Sequence, residues 1–230
     1  IAAAKAKGFR VNVNSTLFDN ATSEGAARFF DTATGLGVDG ITVSPGFSYE
    51  RAPNQEHFLN RKRTKELFRG IFERGKGKNW PLSHSSMYLD FLAGNQDYRC
   101  TPWGNPTRTV FGWQKPCYLL GEGYVNTFRE LMDDTDWDLY GTGNYDKCAD
   151  CMAHCGYEAT AVADMVRKPW KGLLAAISGI KTQGDMAPEI PLENARKADF
   201  VFEKVVEDQL RRAEMHATGA EGSDEDSRAA

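Results

Sequence analysis

Gly37-Val38-Asp39-Gly40-Ile41-Thr42-Val43-Ser44 is the stretch that decides the fold of this chain. Its glycines end a helical pattern in residues 24–36, and its last four residues open a strand. The same order occurs earlier, where Gly8 precedes the alternating residues 9–16, which also predict a strand. Helix, glycine turn and strand thus occur twice in succession, which is typical of an α/β protein with a parallel sheet.

Both predicted strands end in residues that could contact a ligand, because ligands of parallel sheets bind at the carboxyl ends of the strands. These residues are Asn14, Ser15 and Thr16 in the first strand, and Ser44, Pro45 and Gly46 in the second. Two strands are too few for a sheet of ordinary size, and the sequence starts at Ile1 in what we interpret as the end of a helix. We therefore expect the chain to be the C-terminal part of a longer protein, with further βα units upstream.

Helical spacing predicts several helices after the second strand, and the first of them contains a run of three basic residues. We interpret Arg61-Lys62-Arg63 as the solvated face of a helix. The remainder of the chain is predicted as helices at 55–74, 86–94, 124–134, 157–178 (interrupted at Pro169) and 192–215, a hairpin within 100–120, and a disordered tail at 217–230.

Composition excludes two classes of function. Acidic and basic residues are mixed along the chain and the net charge is −4, so no basic face for nucleic acid is expected. Hydrophobic residues make up 41% of the chain, enough to bury a core, but no run approaches the roughly 18 apolar residues of a membrane helix.

The cysteines are clustered in the middle of the chain. There are five, an odd number, and all lie between Cys100 and Cys155. A secreted disulfide protein usually distributes an even number of cysteines through its fold. Clustering at short spacings fits a metal site in a reducing cytoplasm better, so we expect a cytoplasmic protein.

Two cysteine groups together predict one thiolate site. Cys148, Cys151 and Cys155 form a C-x2-C-x3-C run. A hairpin with a turn at Gly112 would bring Cys100 and Cys117 to one end, so we expect Cys117 as the fourth ligand and Cys100 as the alternative. Thiolates suit both zinc and iron–sulfur clusters. Three other readings stay open at this point: structural zinc, with or without His154 as a ligand, and cysteines buried as small apolar side chains.

The spacing C-x11-G-x4-C followed by C-x2-C-x3-C is similar to the auxiliary-cluster modules, of the twitch and SPASM type, that follow radical SAM barrels. The chain resembles the hopanoid-biosynthesis radical SAM family, the adenosylhopene transferases, more closely still. The stretches that show this resemblance are VDGITVSPG at 38–46, YRCTPWGNP at 98–106, FGWQKPCYLLGEGY at 111–124 and KCADCMAHCGYE at 147–158.

The resemblance implies an activity and its cofactors. Such an enzyme cleaves S-adenosylmethionine reductively at a [4Fe–4S] cluster, and the 5′-deoxyadenosyl radical adds to hopene to give adenosylhopane. It implies a polycyclic lipid substrate, an electron donor and peripheral contact with a membrane. The two strands would be the fifth and sixth of the barrel, with Asn14, Thr16, Ser44 and Pro45 at the S-adenosylmethionine site. It also favours a [4Fe–4S] cluster over zinc at the cysteines.

One departure from the family limits the expected activity. The C-x3-C-x2-C motif that defines radical SAM enzymes is absent from this sequence, and we expect it upstream. The chain alone should therefore not cleave S-adenosylmethionine. Two alternatives remain, a zinc- or cluster-binding docking module and a peptide-modifying radical SAM enzyme.

The predicted organisation combines the strand pattern with the resemblance. The fold class is α/β, with the last βα units of a partial parallel radical SAM barrel and then a cysteine-rich, mostly helical auxiliary module. The expected divisions are residues 1–95 for the barrel part, 96–182 for the twitch- or SPASM-like module, and 183–230 for a helix and an acidic tail.

Overall fold

The structure is a computed structural model of the chain. It describes residues 1–48, 52, 56–198, 207, 210, 211 and 214, and all statements below concern these residues.

The first part of the chain forms a βαβ unit. Its two strands are parallel, with Asn14 opposite Thr42 and Thr16 opposite Ser44, so the predicted parallel pairing is confirmed. Thr22 caps the helix between them by accepting a hydrogen bond from the Gly25 amide. The elements are helix α1 (Ala2–Ala6), strand β1 (Asn12–Leu17), helix α2 (Ser23–Gly35) and strand β2 (Gly40–Pro45).

Two capped helices follow. Helix α3 (Arg61–Arg74) begins where the Asn60 side chain accepts from the Arg63 amide, so it starts later than the predicted residue 55, which lies outside the described residues. Helix α4 (Ser86–Leu92) is capped in the same way by Ser85. Because an asparagine or serine side chain satisfies a free amide of the first turn, each cap sets the helix start.

A three-stranded antiparallel sheet confirms the predicted hairpin but corrects the position of Gly112 and the start of the helix that follows. Its strands are β3 (Thr107–Thr109), β4 (Gly112–Gln114) and β5 (Tyr124–Val125), in that order. Gly112 is the first residue of β4 and does not lie in the turn, where we expected it; its φ of 117° and its closeness to the Val125 carbonyl leave no room for a side chain. Helix α5 (Phe128–Asp133) starts after a capping box at Thr127, so the predicted helical start at 124 was wrong.

The last helices meet at a proline, as predicted. Helix α6 (His154–Arg167) ends before Pro169, which opens helix α7 (Pro169–Ser178). Short 3-10 turns occupy Pro102–Gly104, Trp137–Leu139 and Asp146–Cys148.

The predicted helix at 192–215 is wrong over its first residues. Arg196 exchanges backbone hydrogen bonds with Asn144 and Asp146 in an isolated parallel bridge, and this tertiary pairing replaces helical bonding. Residues 207, 210, 211 and 214 are helical, while the rest of 199–215 and the predicted disordered tail at 217–230 lie outside the described residues.

One hydrophobic core joins the βαβ unit to the cysteine-rich segment. Phe30, Ile41 and Phe68 belong to the same buried cluster as Met152 and Tyr157. The core therefore crosses the division that we predicted at residues 95 and 96. The two small sheets form no closed barrel within the described residues, and the partial barrel stays a prediction. Among those residues, no helix has the length and apolarity needed to cross a membrane.

Candidate metal centre

All five cysteines line one cavity. They are free thiols, and their side chains share this cavity with residues such as Leu119, Leu120 and Thr142. The two sequence groups predicted to cooperate, the hairpin pair and the C-x2-C-x3-C run, thus come together in the fold. The cysteines are Cys100, Cys117, Cys148, Cys151 and Cys155.

Short turns place the C-x2-C-x3-C group. Cys148 ends a 3-10 turn, and the Cys151 amide donates to its carbonyl at 3.1 Å. Cys155 is the second residue of α6, as the sequence predicted. These local bonds hold three thiols within eight residues of one another around the cavity.

The surroundings of the other two thiols, Cys117 and Cys100, set their positions. The Gln114 side chain donates to the carbonyls of Cys117, Tyr118 and Leu120, which shapes the loop after β4. Cys100 lies so close to α6 that a β-carbon at Gly156 would overlap its sulfur. Only glycine at position 156 lets Cys100 reach the cavity.

Burial makes these thiols unusually weak acids. Removal from water raises the pKa of Cys151 to about 12. The pKa values of Cys100, Cys148 and Cys155 are raised further, first by burial and then by the neighbouring thiols. Burial also raises the pKa of Cys117. A cation entering the cavity would therefore have to displace thiol protons, as thiolate metal sites do when they load.

A buried arginine lies against this cavity, in disagreement with the interpretation of Arg61-Lys62-Arg63 as a solvated face. Lys62 and Arg63 are exposed, as expected, but Arg61 is 6% exposed. The reason is its place at the start of α3, where the chain turns into the core and Asp150 accepts a hydrogen bond from its backbone amide.

The guanidinium of Arg61 contacts the cysteine segment directly. Its Nη1 donates to the Cys151 carbonyl at 2.8 Å and to the hydroxyls of Thr142 and Tyr157 at 3.4 and 3.3 Å. It also lies over the rings of Phe91 and Tyr157, 5.6 and 5.7 Å from their centroids. These contacts fix a positive charge beside Cys151.

The guanidinium of Arg61 is less completely hydrogen-bonded than that of a second buried arginine, Arg69. In Arg69, Nε, Nη1 and Nη2 all donate to protein acceptors. In Arg61, Nε is buried without a hydrogen-bond partner, and no carboxylate within the described part of the chain pairs with its guanidinium. Since a buried charge without a counter-charge is costly, an anionic group at the cavity would be stabilised here.

No three His, Cys, Asp or Glu side chains of the described residues converge on a point where a single metal ion would bind. The thiols stand instead around the walls of the cavity.

A second cavity lies at the carboxyl ends of the two parallel strands. Its volume is about 340 Å³, and the predicted residues Asn14, Thr16 and Ser44 line it. Pro45 is buried and does not line it, although the next residue, Gly46, does. The strand-end prediction thus places three of its four residues on one cavity.

His154 lies on this strand-end cavity and not on the cysteine cavity. Its Nδ1 is 3.1 Å from Ser44 Oγ, and burial lowers its pKa, with a smaller contribution from His84. The structure therefore offers no support for the alternative in which His154 completes a zinc site.

The Glu158 carboxylate links α6 to residues near the strand-end cavity. It accepts from the Ser85 amide at 2.9 Å and lies 3.0 Å from His84 Nδ1. Burial opposes its ionisation, but the hydrogen bonds from His84 and Ser85 lower its pKa overall. His84 in turn contacts the Val43 backbone, which joins α6 to β2.

The two cavities are separated by a thin wall. Leu119 lines both of them. Tyr118 lines the strand-end cavity and its side chain lies close to that of Cys155, which His154 precedes directly. A molecule at the strand ends would thus be one side chain away from the thiols.

Sequence reasoning missed the roles of Arg61 and of the pair of His84 and Glu158. Tyr118 follows Cys117 directly, a position that suggests a role beside the thiols. The sequence contains no comparable signal for Arg61, because its partners lie 81 to 96 residues away.

Residues 41–175 match the family described as a domain of unknown function, DUF3463. The matched segment covers more than half of the 230 residues of the chain. The chain belongs to this family. The DUF3463 segment runs from β2 into α7 and includes all five cysteines and Arg61. No curated protein and no solved structure matches the chain.

Proposed function

We propose that this chain is the C-terminal part of a radical SAM enzyme of the hopanoid-biosynthesis type, in which the cysteines hold an auxiliary [4Fe–4S] cluster. The observation that supports this proposal most strongly is the convergence of all five thiols on one cavity. Three of them lie within eight residues, which is a poor way to build an apolar core but suits metal ligation.

The shape of the thiol site favours a cluster over zinc. Zinc needs four ligand atoms about 2.3 Å from one point when they are sulfurs. A cluster accepts ligands that stand further apart, around a body of several atoms. The thiols line the walls of a cavity and do not meet at one point, so the second arrangement describes them better.

The donor set and the charge next to it fit the proposed group. Cys117, Cys148, Cys151 and Cys155 would be the ligands, with Cys100 as the alternative fourth. An all-thiolate [4Fe–4S] centre is anionic, and the undercompensated guanidinium of Arg61 would be its counter-charge. The cluster would supply one-electron redox chemistry to the enzyme.

The strand-end cavity is the proposed site for part of S-adenosylmethionine. The Asn14 amide and the Thr16 and Ser44 hydroxyls offer donors and acceptors for its polar groups. In the proposed reaction the adenosyl group of this molecule is joined to hopene. Because the cavity adjoins the cysteine wall, the proposed auxiliary centre would lie next to the reacting groups.

Anaerobic reconstitution of residues 1–230 with iron and sulfide tests the metal proposal. We expect bound iron and sulfide in equal amounts, with the broad visible absorbance of an iron–sulfur cluster. A parallel sample loaded with zinc serves as the control. Tight zinc binding without iron–sulfide assembly would support a docking module and overturn the proposal.

The activity needs a separate test in a longer protein that contains an upstream C-x3-C-x2-C motif. There, Asn14→Ala should weaken S-adenosylmethionine cleavage, since a lost hydrogen bond of this kind costs about 0.5–1.5 kcal/mol. Residues 1–230 alone should bind S-adenosylmethionine only weakly. Unchanged cleavage in the variant would show that Asn14 has no role beyond ending the strand. Mass spectrometry of the lipid product would show whether hopene is the acceptor.

A further inference from the structure

Helix α7 presents an apolar stripe to solvent. Trp170, Leu173, Leu174 and Ile177 are 60%, 61%, 53% and 74% exposed. Their spacing of i, i+3, i+4 and i+7 places all four on one face of the helix. An apolar helix face normally packs against the core, so a stripe turned outward indicates a surface that another partner covers.

Contacts on the opposite side of α7 fix this orientation. Lys171 donates to Gln96 Oε1 at 3.0 Å and to Asp164 Oδ2 at 2.9 Å, and Ala175 packs against the core. The helix is therefore already anchored to the protein, and turning the stripe inward would break these bonds.

The segment that carries the stripe is positively charged. Residues 162–181 contain four basic side chains and one acidic one, so their net charge is 4 − 1 = +3, while the whole chain has −4. The acidic residue, Asp164, is paired with Lys168 and Lys171. Arg167, the last residue of α6, and Trp170, the second residue of α7, are both exposed. The partner that fits this segment is both apolar and anionic.

We propose that the α7 stripe docks onto the surface of an anionic membrane. A helix with Trp, Leu and Ile on its outer face, flanked by Lys and Arg, inserts its apolar side chains at the lipid headgroup boundary and attracts acidic lipids. A second copy of the chain fits less well, because a twofold contact through the stripe would bring the same basic residues face to face. The proposal goes beyond the proposed function and does not depend on the metal or on S-adenosylmethionine.

Sedimentation of residues 1–230 with lipid vesicles tests this surface. We expect binding to vesicles of phosphatidylglycerol and phosphatidylcholine, weaker binding to phosphatidylcholine alone, and release as salt is raised. The double variant Leu173→Ser with Ile177→Ser should lose about tenfold or more in vesicle partitioning. Val110→Ser is the matched control, since Val110 is 95% exposed at the hairpin turn and should not affect binding.

A charge variant keeps the test valid if the double variant folds poorly. Arg167→Glu changes an exposed side chain and should weaken binding to the anionic vesicles while leaving the circular dichroism spectrum unchanged. Absence of binding to anionic vesicles, or equal binding by all variants, would overturn the proposal. A dimer seen by light scattering and converted to a monomer by the double variant would also overturn it, in favour of self-association.

Discussion

Ser44 Oγ and His154 Nδ1 lie 3.1 Å apart, although 110 residues separate them in the chain. This hydrogen bond joins the end of β2 to the first residue of α6 and so places Cys155, the next residue, beside the strand ends. Both side chains line the strand-end cavity. The bond thus connects the predicted barrel part to the predicted cysteine-rich module.

Ser44→Ala should weaken this joint. The substitution leaves a part-buried imidazole nitrogen without its partner, and we expect the free energy of unfolding to fall by about 0.5–1.5 kcal/mol. Urea denaturation followed by circular dichroism measures the change. Ser15→Ala, on the neighbouring strand, is the control, and equal effects of the two substitutions would contradict a specific role for the Ser44 hydroxyl.

Gly156→Ala should displace Cys100. Because the added methyl group would overlap the Cys100 sulfur, we expect a loss of stability of about 1–3 kcal/mol and altered access of a thiol reagent to Cys100. Gly35→Ala is the matched control in another helix, with nothing within 4 Å of the new methyl group, and should stabilise by up to about 1 kcal/mol. If both variants have the same stability and the same thiol access, the position of Cys100 does not depend on the absence of a side chain at position 156.

Much of the fold follows from local patterns. The two strands, their parallel order and the helix break at Pro169 depend on alternation, helical spacing and proline chemistry within short windows. The gathering of the cysteines was predicted from spacing alone, and the structure places all five on one cavity.

The remainder depends on contacts between distant segments. The sequence pattern predicts that Arg61 is a surface charge. In the fold its guanidinium lies over the rings of Phe91 and Tyr157, and the sequence does not reveal those neighbours. Similarly, residues near Arg196 have helical spacing but pair with the segment around Tyr145. In both cases tertiary contacts override the local signal.

Arg61→Met should reduce the stability that the protein gains from loading its metal centre. The guanidinium is held beside Cys151 by its hydrogen bond to the Cys151 carbonyl. One charge acting at a distance on the order of 8 Å in an effective dielectric of ~20 contributes roughly 2 kcal/mol. We expect the rise in melting temperature on reconstitution to be smaller than in the original chain. Lys62→Met removes the exposed neighbouring charge and serves as the control. The same rise in both variants would contradict a counter-charge role.

Asp164→Asn should change the acid stability of the α6–α7 pair. Hydrogen bonds from Lys171, and next from Tyr98, hold the pKa of Asp164 below its usual value against the effect of burial. A carboxylate with a lowered pKa stabilises the fold above its unfolded value near 3.9, and this contribution disappears as the pH falls through the folded value. The variant should therefore be less stable by about 1–2 kcal/mol at pH 7, with the difference shrinking below about pH 4.

Urea denaturation at several pH values measures this dependence. Glu24→Gln is a suitable control, because it removes an exposed i,i+4 ion pair with Arg28 that should contribute little. A difference between Asp164→Asn and the original chain that stays constant from pH 7 to pH 3 would contradict the assigned role of the carboxylate.

The proposed function depends most on what the five thiols hold. Mössbauer spectroscopy of residues 1–230, reconstituted with isotopically enriched iron, addresses this directly. We predict the spectrum of one [4Fe–4S] cluster per chain, and its loss in Cys148→Ser, Cys151→Ser and Cys155→Ser. A spectrum of single iron ions, or a chain that assembles no cluster while binding zinc at the same cysteines, would contradict the account.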